Sequence, residues 1–213
     1  YTLLWAQENN ATDGQAYGRR KLRNICLWLM MKANEEASLD YCKHQFTHAR
    51  NMTDKLASFS LLNNCRIQAE KQLAIDDFYT QWAHDDLVLD KWFAVQAGSE
   101  ASDTLARVKI LMKHPDFSIK NPNKVRALLG AFVQSNPRNF HAIDGSGYAF
   151  LGECLMQLDA LNPQIAARLA TPFTRWRRYD LTRQQLIKNQ LIHLSTLELS
   201  RDLNEVISKS LSS

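Results

Sequence analysis

Apolar residues recur at helical spacing through most of the chain. Between Gln15 and Asn34 they fall at positions i, i+3, i+4, i+7 and i+8, beginning at Leu22. That period places them along one face of a helix. Shorter amphipathic segments with short connections follow at 37–49, 53–62, 65–83, 86–97 and 101–112. The pattern predicts a chain built from helices.

Three Asn-Pro pairs mark helix starts in the second half of the chain, at Asn121-Pro122, Asn136-Pro137 and Asn162-Pro163. The asparagine side chain can accept an unpaired N–H of the first helical turn. Proline suits the next position, where its missing N–H costs nothing. We therefore predict helices that begin at residues 122, 137 and 163.

The remaining helices follow from a turn and from periodicity. The sequence Asp-Gly-Ser-Gly at 144–147 predicts a turn before a helix from about Ser146 to Leu158, and final helices are expected near 181–198 and 201–211. Roughly ten short antiparallel helices with a pair period of about forty residues are typical of HEAT and armadillo solenoids. We predict a single all-α domain, a helical superhelix over residues 15–213, preceded at 1–14 by a linker or the end of an upstream segment.

The composition of the chain argues against several classes of protein. The chain has 7 Gly and 5 Pro, too few for a many-stranded β protein, and its net charge is +4. Acidic and basic residues are interspersed, whereas a nucleic-acid binder usually concentrates its positive charge. The longest apolar run, 25–31, is far shorter than the roughly 20 residues that a bilayer requires. We expect no nucleic-acid partner and no membrane partner.

Four cysteines lie among apolar residues at helical spacing and form no Cys-x-x-Cys pair: Cys26, Cys42, Cys65 and Cys154. They are interpreted as reduced core residues of a cytoplasmic protein, and disulfide pairing stays an alternative. The chain begins at Tyr1 and not at Met, from which we expect residues upstream.

The segment that most resembles a metal-binding motif is His44-Gln45-Phe46-Thr47-His48. Two histidines four residues apart share a helical face, but the zinc-peptidase motif H-E-x-x-H needs a glutamate general base where Gln45 stands. The third ligand of such enzymes would fall at position 67, which is isoleucine. We predict two surface histidines and no metal in this chain.

Other catalytic patterns also have structural explanations. His141, Asp144 and Ser146 are too close in sequence for a triad and indicate a capped turn. Asp85 or Asp86 can cap a helix, and the basic run at 175–179 can complement a helix C-terminus. The residues alone therefore predict no catalytic site, but a helical solenoid that offers an interaction surface.

A specific order of motifs extends this interpretation. It includes Leu89-Asp90-Lys91-Trp92-Phe93, His114-Pro115-Asp116-Phe117, Asn121 to Arg126, Phe140-His141-Ala142, Asp144 to Tyr148, Asn162 to Leu169 and Arg178-Tyr179-Asp180. From about Arg19 to its last helix, the chain resembles the C-terminal helical domain of proteobacterial aminopeptidase N.

The resemblance implies a four-domain cytoplasmic enzyme that removes N-terminal residues from peptides. Zinc would lie in a catalytic domain absent from this chain, which lacks both H-E-x-x-H and G-x-M-E-N. This domain would be inactive alone, would cap the active-site chamber, and would contact the parent's catalytic domain and the peptide substrate within a monomer. The alternative is a stand-alone helical-repeat interaction module.

The resemblance also implies three substrate-binding residues: Arg126, Gln164 and Arg168. They would face the chamber on the leaving-group side of the scissile bond and orient the peptide without doing chemistry. Gln164 and Arg168 are four residues apart and share a helical face. An arginine in the first two turns after Asn162 would be mildly unfavourable there without an anionic partner. An ion pair within the domain is the alternative explanation.

Overall fold

A computed structural model describes residues 1–7 and 11–212, and these residues form helices and no strands. The chain divides into two compact units, Tyr1–Val95 and Gln96–Ser213. The all-α prediction is confirmed. The expected boundary near residue 14 stays a prediction, and residues 8–10 lie outside the described part of the chain. None of the described helices combines the length and apolar character needed to cross a bilayer.

The first unit is built from successive helices with short connections. They are α1 (Thr2–Ala6), α2 (Gly14–Ala33), α3 (Glu35–His48), α4 (Met52–Asn63) and α5 (Gln68–Trp82), followed by α6 (Asp86–Ala97), which ends just inside the second unit.

The second unit contains eight further α-helices, one π-helical turn and one 3-10 helix among its described residues. They are α7 (Thr104–Leu111), α8 (Pro122–Val125), a π-helical turn (Arg126–Gly130), α9 (Ala131–Ser135), α10 (Pro137–Phe140), α11 (Ser146–Asp159), α12 (Pro163–Leu169), a 3-10 helix (Thr171–Arg178), α13 (Leu181–Ser195) and α14 (Arg201–Ser212).

The predicted helix starts are confirmed because they depend on local chemistry. Asn121 accepts the N–H of Asn123 at 2.9 Å, and Asn136 and Asn162 cap α10 and α12 in the same manner. Each capping asparagine is followed by proline at the first helical position. Asn136 also donates from Nδ2 to the carbonyl of Ser99 at 2.7 Å. The caps therefore set the helix starts, and Asn136 also anchors its turn to the loop after α6.

The apolar stripe that predicts α2 does not form its buried face. Leu22, Ile25 and Leu29 are 52%, 44% and 53% exposed, and neighbouring Trp28 is 47% exposed. The side of α2 that packs inside its unit carries Ala16, Arg20, Arg23, Leu27 and Met31. Periodicity correctly indicates the helix, but the side of α2 that is buried within its unit combines apolar residues with two arginines, and the predicted apolar stripe points outward.

One of these arginines, Arg23, forms a buried ion pair with Asp54, and each side chain is 1% exposed. Asp54 also accepts hydrogen bonds from Asn24 at 3.0 Å and from Asn51 at 2.7 Å, and the Arg23 guanidinium lies 4.8 Å from the Trp5 ring centroid. A buried charge is tolerated when it is paired and hydrogen-bonded in this way. The pair connects α2 to the start of α4.

Three of the four cysteines are buried, Cys26 is half-buried, and all four are free thiols. Burial raises the pKa of the Cys42 and Cys154 thiols to about 12. A thiol with so high a pKa is protonated at neutral pH and behaves as a small apolar side chain. The predicted core position therefore holds for Cys42, Cys65 and Cys154, whereas Cys26 is only partly in the core.

A glycine brings two backbone segments together in the second unit. A Cβ atom at Gly147, in the first turn of α11, would lie 2.3 Å from the carbonyl oxygen of Phe140. The preceding turn has Gly145 at φ +73°, and Asp144 accepts the N–H of Ser146 at 2.9 Å. The capped turn predicted at 144–147 is therefore confirmed, and it seats α11 directly against the end of α10.

Replacing Gly147 by alanine should destabilise the fold by about 2 kcal/mol or more, because rigid backbone would have to move. Gly18 is the matched control, since it lies inside α2 with nothing within 4 Å of an added Cβ. Gly18→Ala should stabilise the protein by about 0.5–1 kcal/mol through helix propensity. Urea unfolding of both variants checks this, and equal effects would contradict the close approach at Gly147.

Candidate functional site

A π-helical turn interrupts the helix that begins at Pro122 and continues to Ser135. α8, the turn at Arg126–Gly130 and α9 follow one another without a break. A π turn inserts one extra residue into a helix, and such turns are frequent at functional sites. Here the turn carries exposed Arg126 at its start, while Leu128 and Leu129 are buried.

A cavity of about 410 Å³ lies beside this turn. Arg126 and Gly130 contribute from the π turn, and Arg168 contributes from α12. The structure thus brings together two of the three residues predicted to bind substrate. The full lining is Val125, Arg126, Gly130, Ala131, Gln134, Ser135, Ile165, Arg168 and Leu169.

A second cavity, of about 460 Å³, shares Gln134 and Arg168 with the first. Its other walls come from the end of α9, the 3-10 helix and the residues that flank α10 and α13. The full lining is Val133, Gln134, His141, Arg168, Thr171, Pro172, Arg175 and Tyr179. We call the two together the basic cavities, because every charged residue that lines them is an arginine.

The arginines of the basic cavities have no carboxylate partners in the described part of the chain. Neither lining set contains Asp or Glu. Within residues 1–7 and 11–212, no ion pair involves Arg126, Arg168 or Arg175. Three exposed guanidiniums therefore present their N–H donors to solvent, a suitable arrangement for binding carboxylate or carbonyl oxygens.

The structure corrects the helix-dipole argument for Arg168. α12 ends at Leu169, so Arg168 lies in its last turn, where a cation is favoured by the helix dipole. Its own carbonyl accepts the hydroxyl of Thr171 at 2.7 Å. The position of Arg168 therefore requires no anionic partner. Gln164 is exposed on the same helix and does not line either basic cavity.

His141 and Tyr179, which line the second cavity, belong to a hydrogen-bonded row of three rings that ends at buried Tyr148. His141 Nδ1 lies 2.8 Å from the Tyr148 hydroxyl, and His141 Nε2 lies 3.0 Å from the Tyr179 hydroxyl. Arg183 Nε donates to the His141 carbonyl at 2.7 Å and pairs with Asp180, the N-cap of α13, at 2.6 Å. These contacts hold His141 and Tyr179 at the cavity edge.

Burial of Tyr148 determines how the protons are distributed along this row. Its side chain is fully buried, and among the described residues its hydroxyl has one hydrogen-bond partner, His141 Nδ1. Leaving a buried O–H unpaired costs about 1–3 kcal/mol. We infer that Tyr148 donates to Nδ1, so that the imidazole proton is on Nε2 and is donated to the Tyr179 oxygen.

His141 is held in its neutral form. Burial, assisted by the nearby Arg183 guanidinium, lowers the pKa of His141 below its ordinary value of 6.5. A protonated imidazole would carry hydrogen on both nitrogens and would leave the Tyr148 proton without an acceptor. Burial also raises the pKa of Tyr148 to about 12, which keeps that phenol protonated.

The histidine pair of α3 does not suit a zinc ion. His44 and His48 are exposed and stack with ring centroids 4.3 Å apart, and His48 Nδ1 lies 3.1 Å from the His44 carbonyl oxygen. Within residues 1–7 and 11–212, no three His, Cys, Asp or Glu side chains are grouped to hold a metal. His44 and His48 therefore do not fit a zinc site. The resemblance assigns the zinc to a different domain of the parent protein.

Sequence reasoning missed Arg175, His141 and Tyr179 as neighbours in one cavity. The available signal was the basic and aromatic run at 175–179, which the structure places in the last turn of a 3-10 helix and at Tyr179, the residue that follows it. The sequence groups His141 with Asp144 and Ser146, but its ring contacts two tyrosines instead. Asp85 acts as the predicted cap and accepts the N–H of Leu87 at 3.0 Å.

These features define a class: an all-helical repeat domain with a basic concave site and no catalytic constellation among the described residues. A family model described as a domain of unknown function (DUF3458_C), ARM repeats, matches residues 1–212. The chain belongs to this family, and the match spans both compact units. The prediction of a HEAT/armadillo-like fold is confirmed.

Relatives agree with the resemblance inferred from the motifs. The chain is 42% identical to aminopeptidase N of Haemophilus influenzae over 99% of its own length, and 40% identical to aminopeptidase N of Escherichia coli over 96%. It spans only 24% of each of these relatives. The resemblance to the C-terminal region of aminopeptidase N is confirmed.

A solved structure gives the same result. The crystal structure of Legionella pneumophila aminopeptidase A in complex with aspartic acid superposes with a TM-score of 0.90 at 32% identity. The match covers all of this chain and 26% of that protein. The chain therefore has the fold of a quarter-length region of an aminopeptidase.

Nuclear magnetic resonance of ¹⁵N-labelled histidine should show His141 as the Nε2–H tautomer with a pKa below 6.5. Between the folded and unfolded pKa values the unfolded chain binds more protons, so His141 should make stability fall as pH drops through this window. An Nδ1–H tautomer, or protonation at or above pH 6.5, would contradict the proton arrangement.

Proposed function

We propose that this chain is the non-catalytic C-terminal domain of a cytoplasmic, monomeric zinc aminopeptidase of the aminopeptidase N type. In that enzyme it caps the active-site chamber and lines the substrate path on the leaving-group side of the scissile bond. The observation that carries the proposal is the pair of arginines, Arg126 and Arg168, which line one cavity without ion-pair partners among the described residues.

The chemistry of the cavity suits positioning and not bond cleavage. A guanidinium presents five fixed N–H donors and stays protonated, so it binds carbonyl and carboxylate oxygens but cannot serve as a general base. Zinc and the reacting groups belong to the parent's catalytic domain in this proposal. Arg126 and Arg168 orient the C-terminal part of the peptide, and Gln164 extends the same path along α12.

Arg168→Ala in the parent enzyme should raise KM for peptides more than it lowers kcat, because it removes an interaction made equally in the ground and transition states. KM for peptides should rise about ten-fold, the effect expected when one charge-assisted interaction is removed. A single-residue chromogenic substrate has no peptide beyond the cleaved bond and should be hardly affected.

Arg178→Ala provides the matched control, since Arg178 is exposed on the 3-10 helix and does not line either basic cavity. It should leave both substrates unchanged. If Arg168→Ala slows the peptide and the chromogenic substrate equally, Arg168 has a structural role and the proposal fails.

The outward apolar face of α2 supports the interpretation as one domain of a larger protein. It consists of Leu22, Ile25, Trp28 and Leu29, and beside it a cavity of about 590 Å³ is lined by Ile25, Trp28, Leu56 and other residues. An apolar patch of this kind marks a contact surface. The relatives extend over about four times this chain's length, so we propose that this face packs against the rest of the parent polypeptide.

Cysteine labelling of the parent enzyme tests this contact. Ile25→Cys should react at least about ten-fold more slowly in the native enzyme than in denaturant, because the proposed neighbour covers it. Leu73→Cys on α5, a position 64% exposed in this chain, is the comparison. Native labelling of Ile25→Cys at the denatured rate would refute the contact. Protection that appears only with dimerisation at high concentration would instead indicate a second copy of the chain.

A further inference from the structure

The second basic cavity is lined by hydrogen-bond donors, Arg175 and Tyr179, that have no role in the proposed function. Arg175 and Tyr179 line it together with Arg168, and Arg175 is exposed with no ion pair among the described residues. Arg175 lies on the 3-10 helix that directly follows α12. Two guanidiniums from consecutive helical segments therefore border the same space.

The hydrogen-bonded row of Tyr148, His141 and Tyr179 supplies a third hydrogen-bond donor, the Tyr179 hydroxyl. Because Tyr148 donates to His141 Nδ1, His141 Nε2–H donates to the Tyr179 oxygen, and the Tyr179 proton is not used within the row. Tyr179 is half-buried at the cavity wall. Its hydroxyl is therefore available to donate to a ligand, and it is held in place by a histidine that is itself fixed by Arg183.

The rest of the lining favours a small anion attached to an organic molecule. Val133 and Pro172 provide apolar walls, Gln134 and Thr171 provide neutral polar groups, and no lining residue is acidic. A planar two-oxygen group suits this set, since a guanidinium can bind both oxygens of a carboxylate through parallel N–H donors. A phenolic O–H can complete the coordination of either oxygen.

We propose that the second basic cavity is a carboxylate subsite, in which Arg168, Arg175 and Tyr179 bind a carboxylate of the peptide substrate. This inference rests on the proposed function, because it assumes that peptides reach the domain. The carboxylate has two sources, the C-terminus of the peptide or an Asp or Glu side chain. In either case the subsite selects among peptides by charge and does no chemistry.

The test uses the intact parent enzyme and matched peptides. Alanine oligomers of three to six residues are compared with a free or an amidated C-terminus, and amidated oligomers with one Asp are compared with their Asn counterparts. For at least one pair the carboxylate form should have a KM about ten-fold lower, the size expected for a charge-assisted bond. The first comparison identifies a C-terminal source and the second a side-chain source.

Two variants assign that preference to this cavity. Arg175→Gln should reduce the ratio of the two KM values to nearly one, and Tyr179→Phe, which removes one neutral donor, should reduce it about three-fold. Arg178→Gln, on the same 3-10 helix but outside the lining, should leave the ratio intact. Arg175→Lys keeps the charge but loses the two-pronged donor and should restore the preference only in part.

Several results would overturn the subsite. One is the absence of a carboxylate preference at any length or Asp position. Another is a preference that survives Arg175→Gln and Tyr179→Phe unchanged. A third is an equal rise in KM for the carboxylate and amide forms, which would mean that Arg175 is structural.

The subsite and the proposed function fail in different ways. If Arg168→Ala raises KM for every peptide while Arg175→Gln changes no ratio, the path along the domain stands and only the subsite is lost. If Arg168→Ala affects the single-residue substrate as strongly as peptides, the proposed function itself is lost.

Discussion

The second basic cavity depends on one close approach of two backbones, at Phe140 and Gly147. A side chain at Gly147 would occupy the position of the Phe140 carbonyl, so only glycine lets α11 begin there. The next residue is Tyr148, and the residue after Phe140 is His141, so the approach places these two side chains within hydrogen-bond distance. From that contact follow the tautomer of His141, the orientation of Tyr179 and the wall of the second cavity.

In the proposed function, the arginines of the basic cavities bind a ligand without taking part in a reaction. A surface arginine usually loses little by remaining hydrated, and an exposed ion pair would contribute at most about 1 kcal/mol. Arg126, Arg168 and Arg175 can therefore remain unpaired at little cost to the fold. Inside a chamber closed by another domain, the same guanidiniums would be partly desolvated, and their bonds to a peptide would become stronger.

Local chemistry made much of the fold predictable from sequence. The three Asn-Pro pairs place helix starts correctly because capping involves only neighbouring residues. The buried face of α2 was not predictable, since periodicity reports an apolar stripe but not what covers it, and the buried side contains Arg23, whose partner Asp54 lies on a different helix. The π turn at 126–130 also has no sequence signal that we can identify.

The candidate site was predictable only in part, because some of its residues meet through contacts between segments distant in sequence. Arg126 and Arg168 came from the resemblance, and the structure places both in one cavity. His141, Arg175 and Tyr179 meet through tertiary packing of α10, the 3-10 helix and the start of α13, which no spacing rule along the chain reveals. Gln164 stays a prediction, because the structure places it on α12 but outside both cavities.

The proposed function requires this domain to contact the peptide on the leaving-group side of the cleaved bond. The most direct measurement is a structure of the intact parent enzyme with a bound non-cleavable peptide analogue. We expect a guanidinium nitrogen of Arg168 to lie about 2.7–3.2 Å from a carbonyl or carboxylate oxygen of the analogue, beyond the position of the scissile bond. A peptide path that leaves Arg126 and Arg168 facing bulk solvent would contradict it.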